Sequence, residues 1–168
     1  MKRTLVALVE DKPGTLNRIA SLFRRRAFNI ESLTVGHTEQ VGVSRMTIVV
    51  GGEYEESRKV QNHLSNLINV LRVDDVTNRR AVMHDLAMIK VTATHGNRAD
   101  VLQIVNTFSG RVLDMGFDTL IAEATGPEEQ IDRLIEVLRP FGILEMVRTG
   151  RVVMVCSGEA DEEEEEGS

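Results

Sequence analysis

Leu5-Val6-Ala7-Leu8-Val9-Glu10-Asp11-Lys12-Pro13-Gly14-Thr15-Leu16 is the stretch from which the fold can be read. Its first five residues are a short apolar run, as a buried strand requires. Glu10-Asp11 and then Pro13-Gly14 break the run. Leu16, Ile19, Ala20, Phe23 and Ala27 follow at helical spacing. The chain therefore begins with a strand that turns sharply into an amphipathic helix.

Outward from that turn the pattern continues. Leu33 and Val35 alternate with polar residues, and Met46, Ile48 and Val50 mark a further strand after a hairpin loop around 38–42. Gly51-Gly52 ends it. Val60, Leu64, Leu67, Ile68 and Leu71 give a second helical stripe, and 70–76 supplies a closing strand, for an order of βαββαβ. The order then recurs roughly 80 residues on. Ala87, Ile89 and Val91 share one strand face, and Val101, Ile104, Val105 and Phe108 form a helical stripe. A hairpin around Gly116-Phe117-Asp118 follows. Pro127 opens a helix that buries Ile131, Leu134, Ile135 and Leu138 and ends at Pro140. Extended chain at 143–148 and 152–155 completes the repeat.

The fold class expected is α+β: two ferredoxin-like βαββαβ domains in tandem, each an antiparallel sheet with two helices on one face. The domains expected are 1–77 and 78–156, with Asn78-Arg79-Arg80 as linker and 157–168 as a disordered acidic tail. Each unit is small, and its bare sheet face needs covering, so packing between domains or subunits is expected.

Charge and composition remove several function classes. The formal net charge is −6, but residues 159–168 alone hold seven acids; without them twenty basic residues face nineteen acidic ones. The body is nearly neutral, and no basic field points to nucleic acid. Cys156 is the only cysteine, so no internal disulfide or thiolate metal cluster is possible, which fits a reducing cytoplasm. The first apolar run is too short for a signal peptide core or a membrane span. His37, His63, His84 and His95 lack metal-ligand spacing. No phosphate loop, dinucleotide fingerprint or nucleophile–base–orienter set is present, so no catalytic residue is assigned. Arg24-Arg25-Arg26 reads as a solvated helix face or, alternatively, as a contact for the acidic tail or a protein partner.

Two readings fit the turn at 10–16. Asp11 or Thr15 could simply cap the helix. Alternatively, the helix N-terminus offers free N–H groups and a positive dipole end to an anion, with Gly14 opening the approach and Asp11 facing a cation. Such a pair of sites suits a zwitterion, a free α-amino acid. After the helix, Asn29 could hold a carbonyl or a ligand, and Ile30 could wall an apolar pocket or pack in the core. His37 could touch a ligand or lie at the surface. His95-Gly96-Asn97-Arg98 could cap the third helix or bind an anion.

Glu10 through Leu16 resembles the ligand loop of ACT domains, small amino-acid-sensing modules. Asn29-Ile30-Glu31-Ser32-Leu33-Thr34-Val35 and Ser44-Arg45-Met46-Thr47-Ile48-Val49-Val50 resemble one branch, the small subunit of acetolactate synthase. So do the blocks Leu67–Val73, Asp85–Val91 and Arg139–Glu145, and the match covers about residues 2–155. The resemblance implies an N-terminal ACT domain and a dimer through paired ACT sheets. It also implies an effector, valine or a related branched-chain amino acid, at the seam. The carboxylate would meet main-chain N–H groups near Gly14, Thr15 and Leu16. Asp11 would lie near the ammonium, and Asn29 and Ile30 would come from the other protomer. A catalytic large subunit, carrying thiamine diphosphate, FAD and magnesium, would be activated by this chain and inhibited through it. The competing function, an amino-acid-responsive transcription regulator, lacks a visible DNA-reading element. The sequence departs from the family pattern at Ala27, where Gly usually precedes the aromatic, and at Asp11, where some members have Asn.

Overall fold

The structure is a computed structural model that describes residues 2–51 and 54–157, the side chains of 54–57 excepted. The acidic stretch expected to be disordered lies, beyond Ser157, outside the described residues. The elements are β1 (Lys2–Glu10), α1 (Thr15–Arg26), β2 (Ile30–His37), β3 (Val43–Gly51), α2 (Tyr54–Ser65) and β4 (Val70–Asp75). They continue as β5 (Ala81–Thr92), α3 (Arg98–Thr107), β6 (Arg111–Met115), β7 (Thr119–Gly126), α4 (Glu128–Leu138), a 3₁₀ turn (Arg139–Phe141), β8 (Ile143–Arg148) and β9 (Val152–Val155).

The first sheet has the order β2-β3-β1-β4, all neighbours antiparallel. Alternate residues of β1 point to opposite faces. Leu5, Ala7 and Val9 join Ile19 and Phe23 of α1, Val60 and Leu64 of α2, and Met46, Ile48 and Val50 of β3 in one core. Thr4 and Val6, on the opposite face, are also buried, which explains why the segment reads as a continuous apolar run. The helical stripe of α2 stops with Leu64. Ile68 is 89% exposed, and Leu71 stands on β4, so their spacing with Leu64 is not that of one helix.

The second sheet repeats the arrangement as β6-β7-β5-β8, with β9 also paired to β5. Ala87, Ile89 and Val91 pack with Leu120, Ala122 and Ala124 of β7 against Val101, Val105, Ile131, Leu134 and Leu138 of the helices. Pro127 stands one residue outside α4 as its N-cap, where its carbonyl accepts from the N–H groups of Gln130 and Ile131. Pro140 falls within the 3₁₀ turn, and α4 itself ends at Leu138.

The chain forms two compact units, but not with the expected limits. One takes in residues to Val82 together with the chain from Arg151 onward; the other is Met83–Gly150. The last strand leaves the 78–156 domain because its polar groups find partners in the first unit. Arg151 N–H donates to Ser32 Oγ at 3.0 Å, its guanidinium to Thr4 Oγ1 at 3.1 Å, and Arg45 Nη2 to the Val153 carbonyl at 2.9 Å. These bonds lay the segment on the helix-free face of the first sheet, so part of the covering that face needs comes from within the chain.

Candidate functional site

The turn between β1 and α1 is held by main-chain bonds on three sides. Glu10 N–H donates to the Asn69 carbonyl at 2.9 Å, Asp11 N–H to the Gly42 carbonyl at 2.8 Å, and Thr15 N–H to the Lys12 carbonyl at 3.2 Å. Gly14 is the N-cap residue of α1 at φ +89°, a left-handed conformation that costs glycine little. No side chain caps this end, so neither Asp11 nor Thr15 takes that role. Thr15 instead turns its hydroxyl back to the Glu10 carbonyl at 3.1 Å and is buried.

What remains outward suits a ligand. A Cβ on Gly14 would meet nothing within 4 Å, so the approach to the helix start is open. Among the described residues, the N–H groups of Gly14 and Leu16 have no acceptor in the turn, whereas that of Thr15 does. The Leu16 side chain is 48% exposed at the same mouth. Asp11 is exposed, and its Oδ2 lies 3.3 Å from His37 Nδ1. Thus His37, at the end of β2, stands beside the turn.

Asn69, in a block for which the sequence suggested no role, is the anchor beneath. Its amide donates to Glu10 Oε2 at 2.7 Å, and Arg18 of α1 donates to its side-chain oxygen. Lys12 Nζ also reaches Glu10 Oε2, at 2.9 Å. The hydrogen bonds from Lys12 and then Asn69 hold the Glu10 carboxyl below its ordinary value. Nothing in the periodicity of 67–73 marks Asn69, because its role lies in a turn.

Asn29 and Ile30 are not near this turn. Ile30 pairs with Val50, which pairs with Arg3, whereas Glu10 pairs with Val43 at the other end of the sheet. Seven residues of strand separate the two ends, about 23 Å at ~3.3 Å per residue. Within one chain, Asn29 and Ile30 therefore do not share a pocket with Asp11, Gly14, Thr15 and Leu16. Asn29 is exposed, and Ile30 is half-buried on β2, which is an edge strand. The turn before it runs through Ala27 at φ 56°, the left-handed backbone expected if a glycine position were filled by alanine.

The second unit offers no matching site at its His95–Arg98 turn. Asn97 is the N-cap of α3 without a side-chain cap bond. Arg98 is spent on main-chain carbonyls: Ala93 at 3.0 Å, Gly116 at 3.0 Å, and Phe117. Arg24, Arg25 and Arg26 are solvent-exposed. Among the described residues no group of three metal-ligating side chains exists, and no helix is long and apolar enough to cross a membrane.

Fold and turn together define an α+β protein of two ferredoxin-like modules, the first of ACT type. The model of the AHAS small subunit-like ACT domain matches residues 5–72, and that of the small subunit of acetolactate synthase matches 84–157. A probable acetolactate synthase small subunit of Archaeoglobus fulgidus is 44% identical, over 92% of this chain and 97% of that one. The acetolactate synthase small subunit of Mycobacterium leprae is 47% identical, over 89% and 88%. The crystal structure of the small subunit from Thermotoga maritima is similar with a TM-score of 0.87 at 31% identity, over 93% of this chain and 98% of that one. The chain belongs to the family of acetolactate synthase small subunits.

Proposed function

We propose that this chain regulates acetolactate synthase in the cytoplasm. It binds the catalytic large subunit, raises its activity, and makes it sensitive to valine or a related branched-chain amino acid. Thiamine diphosphate, FAD and magnesium belong to the large subunit, and neither nucleic acid nor membrane is a partner. Membership of the small-subunit family supports the regulatory role.

The observation that carries the effector site is the separation of its two halves to opposite ends of β2. An edge strand presents unpaired main-chain groups to another chain. Two copies related by a two-fold axis pair their β2 edges antiparallel. The His37 end of one strand then lies beside the Ile30 end of the other, and two incomplete half-sites become two complete sites. The effector carboxylate meets the Gly14 and Leu16 N–H groups and the positive end of α1, with Thr15 holding the turn behind them. Asp11 faces the ammonium. The partner's Asn29 and the partner's Ile30 close the pocket, and Leu16 meets the alkyl chain. Effector bound at the seam favours one packing of the dimer, and the large subunit responds to the extent that the effector distinguishes that packing from its alternative.

The test is turnover by the purified large subunit alone, with this chain, and with its Gly14→Asp variant, each with and without valine. The expected outcome is stimulation by both chains and valine inhibition only with the unaltered one. Equal valine inhibition of the large subunit alone, or no stimulation by this chain, contradicts the proposal.

A further inference from the structure

On the helix side of the first unit, α1 carries four arginines, Arg18, Arg24, Arg25 and Arg26, and no acidic residue. Ser21 stands three residues from both Arg18 and Arg24 and four from Arg25, so the four share one side of the helix. That side and the turn after α2, at Leu67 and Ile68, line an open cleft of about 540 Å³. Ile68 is exposed on its wall.

The charge on this cleft is uncompensated. Arg18 is turned to the side-chain oxygen of Asn69, whereas among the described residues the guanidinium groups of Arg24 and Arg25 have neither a hydrogen bond nor an ion pair. The last turn of a helix favours cations, which accounts for their place but supplies no counter-charge. The same chain holds the complement: Glu159, Asp161 and Glu162 through Glu166. These acids are also within reach. Cys156 lines a cleft shared with Arg72 of β4, and Ile68 precedes Arg72 by four residues, at most ~14 Å of chain. The nine residues from Ser157 to Glu166 span up to ~32 Å. Because β4 is an edge strand, the way from the helix-free face to the helices crosses no other strand.

We propose that the helix-side cleft is the docking site of this chain's own acidic segment, its carboxylates paired with Arg24 and Arg25. The planar guanidinium fork matches the two oxygens of a carboxylate. A single exposed ion pair is weak, but a run of acids tethered beside the cleft meets the arginines at high effective concentration. The assignment does not rest on the regulatory role proposed above.

A nitroxide spin label on the full chain tests this. Cys156→Ser removes the one native thiol, and Gly167→Cys supplies the site of attachment. Loss of amide NMR intensity is expected at Ser21, Arg25 and Ile68. That loss should vanish in Arg24→Gln/Arg25→Gln. It should vanish equally when Glu162 through Glu166 are all replaced by glutamine, a change that leaves the cleft itself untouched. Should the loss be absent at those residues, should either variant keep it, or should it pass only from a spin-labelled copy to an unlabelled one, docking within the chain is overturned.

Discussion

His37 Nδ1 lies 3.3 Å from Asp11 Oδ2, which joins the last residue of the edge strand β2 to the turn that opens α1. The contact ties one end of the β2 edge, where the proposed seam would run, to the effector turn. His37 is 83% exposed at its side chain, so the pair itself contributes little to stability. Its interest lies in where it aims the carboxylate.

The first prediction follows from that aim. Asp11→Ala should weaken binding of valine by about tenfold or more, the effect of losing a charge-assisted partner for the ammonium. His37→Ala should change affinity by less than about threefold. Calorimetry on the two variants separates these roles.

A second concerns Ala27, which holds φ 56° at the end of α1. Phe28 N–H donates to the Phe23 carbonyl at 3.1 Å, and the two rings meet edge to face at 6.4 Å, so the turn cannot relax without losing both contacts. Ala27→Gly removes the Cβ penalty and should stabilise the first unit by ~1 kcal/mol, a rise of about 4–8 °C in its melting temperature. Calorimetric melting checks it.

Acid should loosen the effector turn through Glu10. Its carboxyl is held below the ordinary value by Lys12 first and Asn69 second. A depressed folded-state value means that the stabilising contribution is present above the ordinary value of 4.5 and is lost as pH falls through the lower, folded one. Asn69→Ala should move the Glu10 titration upward, toward 4.5. Carbon-detected NMR of the Glu10 carboxyl reads both values.

The β2 edge supplies a fourth prediction. Val35 is 46% exposed on this strand. A lysine there opposes strand pairing between copies, because bringing the edges together would desolvate a charge. Val35→Lys should weaken dimerisation by at least tenfold, measured by sedimentation, with the monomer's circular dichroism unchanged.

Much of the fold was legible because the core obeys simple periods. Leu5, Ala7 and Val9 on the strand, Ile19 and Phe23 on α1, and Ile131, Leu134, Ile135 and Leu138 on α4 all lie where alternation or helical spacing puts them. The same rule misled at Ile68 and Leu71, whose spacing continues a stripe past the end of α2 although the chain has already turned. The return of 151–157 to the first unit was invisible, since it depends on Arg151 and Arg45 finding partners more than a hundred residues away. At the candidate site, Gly14 and Ala27 announced themselves by backbone demands. Asn69 did not, because a side chain that braces a turn leaves no period.

The most direct measurement is complementation between two defective chains. Gly14→Asp spoils one half of each proposed site and Asn29→Ala the other, so each homodimer should bind valine weakly or not at all. In a mixed dimer, one site receives both defects and the other receives neither. Titration of co-refolded, separately tagged heterodimers should therefore recover one wild-type-affinity valine per two chains. Absence of that recovery, in heterodimers shown to be intact, would mean that Gly14 and Asn29 do not meet across a seam.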